Sequence, residues 1–140
     1  MTVHQISDAN PDIGLLDTSV VIDVDVIDLN RLPGRLAIST ITLAELSAGA
    51  AVTGDVLEQA RRRDRAQRAE MLFECLPFDS RAARAYGLVC AAVVKAGRKP
   101  RARIADLLIA STAISEGMPL YTRNARDLVG LTELLEIKEI

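Results

Sequence analysis

Short apolar runs that end at a turn or a helix start, alternating with longer helical segments, constrain this chain more than any other feature. Ile13-Gly14-Leu15-Leu16 is one such run; it stops at Asp17 and is followed by Thr18 and Ser19, residues that start helices. Residues 36–38 form a second run, and residues 40–51 read as a helix stopping near Gly49 and Gly54. Residues 55–74 are charged, alanine-rich and helical in composition, and lead into a brief strand at Cys75 and Leu76 that Pro77 ends. Asp79 or Ser80 then caps a helix running to about residue 96, with Gly97 as its stop. Residues 103–116 form the most apolar helix, closed by Gly117 and Pro119. Leu120 and Tyr121 give a fourth strand, residues 124–129 a short helix and residues 134–137 a last strand. This alternation predicts an α/β fold of three layers, a central parallel sheet of four to five short strands flanked by helices.

Ligands of such sheets bind outside the carboxyl ends of the strands. Four acids stand near those ends or at helix starts: Asp17, Glu45, Asp106 and Asp127. The only histidine, His4, lies in a polar tail. Paired-histidine mechanisms are therefore excluded, as are a Ser-His-Asp triad and a Cys-His pair unless that tail folds back. Clustered carboxylates without imidazole or thiolate suit hard, oxygen-loving cations such as Mg²⁺ or Mn²⁺, and so point to phosphate chemistry.

Each acid also has a plain structural reading. Asp17 suits a helix N-cap. Thr42-Leu43-Ala44-Glu45 fits a capping box, with Glu45 reaching back, and Asn124 to Asp127 has the same spacing. Asp106 resists such a reading. It sits mid-helix in Ile104-Ala105-Asp106-Leu107-Leu108-Ile109-Ala110, a helix apolar nearly all round and hence buried. An unpaired buried carboxylate is costly, so either Arg103, one turn earlier, or a metal shared with the other acids must compensate it. Asp23, Asp25 and Asp28 alternate with Val and Ile and read as a solvated edge outside the site.

At 140 residues the chain is one domain, taken as residues 13–140, behind a loose leader at 1–12. That leader, MTVHQISDANPD, has neither the basic nor the apolar region of a secretion signal, and no run is long enough for a membrane span. Two cysteines, Cys75 and Cys90, are too few for a disulfide framework or a structural zinc site and read as small buried hydrophobes. The expected location is the cytoplasm. The net charge of −2 argues against generic nucleic-acid binding, but the bases are clustered. Arg61, Arg62, Arg63, Arg65 and Arg68 have Glu58, Asp64, Glu70 and Glu74 for partners along a helix or face a protein. Arg98, Lys99, Arg101 and Arg103 lie near Asp106 and admit either a solvated or a substrate-facing role.

From Leu15 onward the order of motifs resembles the PIN-domain ribonucleases, and most closely the VapC-type toxins of bacterial toxin–antitoxin pairs. The blocks are Leu16-Asp17-Thr18-Ser19, then Ser39-Thr40-Ile41-Thr42-Leu43-Ala44-Glu45-Leu46, then Leu76-Pro77-Phe78-Asp79 with Ala82-Ala83-Arg84. Gly97-Arg98-Lys99-Pro100, Ala105-Asp106-Leu107-Leu108-Ile109-Ala110 and Tyr121-Thr122-Arg123-Asn124 with Asp127 complete the series. The resemblance implies an acidic catalytic pocket of Asp17, Glu45, Asp106 and Asp127, with Asp17 and Asp106 as direct ligands of Mg²⁺ or Mn²⁺. It places Thr18, Ser19, Thr122 and Asn124 beside the pocket as orienting groups. It further implies an RNA substrate, a VapB-type antitoxin as partner and a homodimer. Leu128 stands where the family commonly has Phe after the last acid, and residues 22–32 lack a clear match.

Two other readings compete. A phosphorelay receiver also binds Mg²⁺ in an acidic pocket on a parallel sheet, but it carries adjacent acids after the first strand, where this chain has Asp17-Thr18. A catalytically silent PIN-like interaction module needs no complete acid set, and here all four acids are present.

Overall fold

The computed structural model describes residues 12–140; His4 and residues 1–11 of the expected leader lie outside the described residues. Asp12 joins the fold: its carboxylate accepts the Gly34 N–H at 2.7 Å, and its carbonyl accepts the Arg35 N–H at 3.0 Å.

Five parallel strands make one sheet in the order β3-β2-β1-β4-β5. They are β1 (Ile13–Leu16), β2 (Arg35–Ser39), β3 (Glu74–Leu76), β4 (Leu120–Thr122) and β5 (Ile137–Glu139). The helices are α1 (Thr18–Ile22), α2 (Thr40–Val52), α3 (Val56–Leu72), α4 (Ser80–Lys95) and α5 (Ile104–Glu116). The predicted three-layer α/β architecture is therefore the observed one. Its strand order also differs from the 2-1-3-4-5 order of receiver-type sheets.

Strand alternation splits the core between the two faces, because successive side chains point to opposite sides. Leu15, Ala37 and Leu120 face one way, onto Val89 and Val93 of α4 and Leu107, Ile109 and Ala113 of α5. Leu16, Ile38 and Tyr121 face the other way, onto Val20 of α1, Leu46 of α2 and Ala66 and Ala69 of α3. Runs such as Ile13–Leu16 are apolar at every position because both faces are covered. Gly14 is required by close approach: a Cβ there would run into the Tyr121 ring and stand 3.1 Å from Pro33 Cγ. Gly117 adopts φ +68° and ends α5 in the left-handed conformation that favours glycine.

Several local expectations shift. The last strand is Ile137–Glu139, not residues 134–137; Leu134 and Leu135 instead pack into the core from the preceding turn. Residues 124–129 form one 3-10 turn, Ala125–Leu128, rather than a helix. Helix α5 starts at Ile104, since Arg103 belongs to a separate 3-10 turn, Pro100–Arg103. Cys75 and Cys90 are free thiols as expected, but half-buried. Along α3, Arg61 and Arg62 pair with Glu58 and Arg68 with Asp64, while Glu74 crosses to Arg35 on the neighbouring strand. Among the described residues, no helix is long and apolar enough to cross a membrane.

Candidate active site

Strand order reverses direction around β1, so the ends of β1 and β4 open a crevice between diverging connections. Asp17 stands at that crevice, directly after β1 and at the N-cap of α1. Its carboxylate accepts the Thr18 N–H at 2.8 Å, the Ser19 hydroxyl at 3.1 Å and the Thr122 hydroxyl at 2.7 Å. The side chain is thus held from α1 and β4 at once and is buried. Thr122 is itself fixed, because its Oγ1 also accepts the Asn124 N–H at 3.1 Å. Ser19 Oγ likewise accepts the Arg123 N–H at 3.2 Å.

Glu45 comes from the second turn of α2. The capping box expected at Thr42–Glu45 does not form, because the helix already starts at Thr40 with Ser39 as its cap, accepting the Ile41 N–H. Freed from that role, Glu45 Oε1 accepts the Thr18 hydroxyl at 2.6 Å. Thr18 Oγ1 also lies 3.0 Å from Thr42 Oγ1. Thr42 is fully buried and belongs to the site's support. In the sequence Thr42 has only the pattern of a helix cap, and no local pattern marks its actual partner.

Asp106 lies in the first turn of α5 rather than mid-helix, which aims its carboxylate toward the crevice from the opposite side of the sheet end. Its pKa is pushed up from an ordinary 3.8 to about 6. Burial is the largest cause, and the negative charges of Asp17 and Glu45 follow; Asp127 adds to the rise, while Arg103 opposes it. A helix N-terminus favours negative charge. Here burial and neighbouring acids outweigh it.

Arg103 stands 3.1 Å from Asp127 and 4.0 Å from Asp106. The cation foreseen as the compensator of Asp106 therefore sits closer to Asp127. All four expected acids converge electrically on one crevice, and Thr18, Ser19 and Thr122 orient two of them. Asn124 contributes through its backbone; its side chain is exposed. Asp23 pairs with Arg123 at 3.3 Å, consistent with a place outside the acid set.

Among the described residues, no three Asp, Glu, His or Cys side chains form a ready coordination shell. Coulombic coupling reaches farther than the roughly 2.0–2.6 Å of a metal–oxygen bond, so the two observations agree. The donor set is all carboxylate, with hydroxyls behind it. It fits a hard divalent cation and poorly fits zinc or copper.

Residues 14–128 match the PIN domain family. Ribonuclease VapC5 of Mycobacterium tuberculosis is 38% identical over 124 residues, covering 81% of this chain and 84% of that protein. The crystal structure of VapBC-5 from the same organism, a member of the VapBC family of toxin–antitoxin systems, superposes with a TM-score of 0.80 at 32% identity. That match covers 93% of this chain and all of the other. VapBC-1 of nontypeable Haemophilus influenzae gives a TM-score of 0.71 at 26% identity, over 91% of this chain and 97% of that one.

Proposed function

This chain belongs to the PIN-domain family, and on that premise we propose that it is a metal-dependent endoribonuclease, the toxin of a toxin–antitoxin pair. The observation that carries the reading is the gathering of Asp17, Glu45 and Asp127 around Asp106, whose burial, together with those negative charges, holds its carboxyl at about 6. Like charges gathered at such a cost serve a cation.

Asp17 and Asp106 are the first-choice ligands for Mg²⁺ or Mn²⁺, with Asp127 completing the pocket. Bound there, the ion would lower the pKa of an attacking water and offset charge on the in-line transition state. The residues do the rest. Asp17 is locked by three donors, so its orientation is preorganised before substrate arrives. Glu45, held at one oxygen by Thr18, keeps the other available to bind water or take a proton. Arg103 is a mobile-length cation at the rim, able to exchange Asp127 for a phosphate oxygen. Nothing in this set requires the RNA 2′-hydroxyl as nucleophile.

A VapB-type antitoxin is the proposed partner, acting in the cytoplasm; an arginine of that partner entering the crevice would meet the clustered carboxylates and displace metal. Exposed Val52, Val56 and Leu57, where α2 passes into α3, support a protein-facing surface there. A homodimer belongs to the same proposal and would sediment as two chains per particle at micromolar concentration. The direct test is incubation of the purified protein with a mixed RNA pool, with Mn²⁺ or with a chelator. Cleavage in the first and none in the second is expected; metal-independent cleavage would overturn the reading.

A further inference from the structure

Beside the acids lies a second feature that their chemistry does not use. A hollow of about 360 Å³ opens between the end of α4, the Pro100–Arg103 turn and the Ala125–Leu128 turn. Arg103 and Asp127 line it as well, so it adjoins the crevice. Val93, Leu107 and Val129 give it an apolar lining, and Arg98 and Lys99 stand on its walls. The volume falls within the roughly 300–1,000 Å³ typical of pockets for small organic groups.

The two cations are placed by backbone geometry. Gly97, at φ +81°, turns the chain at the end of α4. The Gly97 N–H then bonds to the Val94 carbonyl at 2.9 Å and the Arg98 N–H to the Val93 carbonyl at 3.0 Å. Among the described residues, neither Arg98 nor Lys99 has a carboxylate partner; Arg98 meets only the Arg126 carbonyl, at 3.3 Å. Arg61, Arg62 and Arg68 of α3 differ, since they pair with Glu58 and Asp64. Two cations without carboxylate partners therefore stand beside an apolar cavity that adjoins the crevice.

We propose that this hollow is a subsite for one unpaired nucleotide of the RNA strand, adjoining the phosphate to be cut. The base lies against Val93, Leu107 and Val129, and its outward phosphate is held by Arg98 and Lys99. Polarity runs the right way: Val93 and Leu107 are buried while Arg98 and Lys99 are exposed, so the neutral base goes inward and the charge outward. A base enters such a hollow only from a single strand, loop or bulge. No aromatic side chain lines it, so selection rests on base size and apolar fit, not on stacking. This inference rests on the ribonuclease reading and deepens it.

The test compares wild type with Arg98→Ala/Lys99→Ala and with Ala102→Leu, which narrows the hollow while leaving both cations. Arg98, Lys99 and Ala102 are exposed, and melting temperatures verify that each variant folds. Cleavage of a short single-stranded RNA is followed with Mn²⁺ over a salt series. The double variant should raise KM about tenfold with kcat nearly unchanged, and reduce the salt slope of log kcat/KM by about 1.4, the value for two single-strand phosphate contacts. Ala102→Leu should alter base preference at one position flanking the cut. A double variant with wild-type KM and salt slope overturns the subsite alone, as does one that loses only a protein partner. A wild-type protein that cleaves no RNA sinks both the subsite and the reading beneath it.

Discussion

The guanidinium of Arg103 lies 3.1 Å from the carboxylate of Asp127, closer than to Asp106 three residues along its own chain. Arg103 thus occupies ground that a divalent ion would claim. Half-exposed pairs of this kind contribute about 0.2–1 kcal/mol, so the arginine competes weakly. Arg103→Ala should tighten Mn²⁺ binding by up to about fivefold, read by calorimetry on the RNA-free protein. Weaker Mn²⁺ binding would mean that Arg103 organises the acids instead of competing for them.

Asp106 makes stability depend on pH in a direction opposite to most carboxylates. Its folded-state pKa, about 6, exceeds the ordinary 3.8, so the folded protein holds the extra proton between those values. Its contribution is most favourable below pH 4 and is lost as pH rises through about 6. Asp106→Asn should therefore stabilise the metal-free protein at pH 7, by on the order of 1 kcal/mol given partial solvation. The gain should vanish near pH 4. Melting curves of both proteins in chelator across this range check the sign; a destabilised variant at pH 7 would make Arg103 its essential partner.

Gly14→Ala tests the close packing of β1 on β4. The added methyl meets the Tyr121 ring and Pro33, and overpacking of this kind costs about 1–3 kcal/mol. Denaturant unfolding should show that loss. Because Asp17 is anchored by Thr122 at the end of the same strand pair, Mn²⁺ affinity should fall with it. An unchanged midpoint would refute the contact.

Strand runs were legible because burial on both faces makes them apolar throughout, and helix ends because Asp79 and Gly97 act locally. The acids were legible for a related reason: they interrupt apolar surroundings where a charge is expensive. What escaped was tertiary. Thr42 looked like a helix cap until Ser39 took that place, which left Thr18, 24 positions away, as its partner. The final strand was misplaced because residues 134–137 are as apolar as a strand, yet Leu134 and Leu135 serve the core from a turn while the polar Lys138 and Glu139 pair with β4. At a sheet edge, pairing is decided by the neighbouring strand's backbone, which no side-chain pattern reports.

The central claim is that the acids of the crevice hold the metal that cuts RNA. The most direct measurement is cleavage of a mixed RNA pool with Mn²⁺ by wild type, Asp17→Asn and Asp106→Asn at equal folded concentration. Both variants keep side-chain shape and should remain folded, yet cleavage should fall by at least about a hundredfold, the loss expected when a metal-holding charge is removed. Calorimetry on the same samples should show weakened Mn²⁺ binding. A folded Asp106→Asn protein cutting RNA at the wild-type rate would contradict the account.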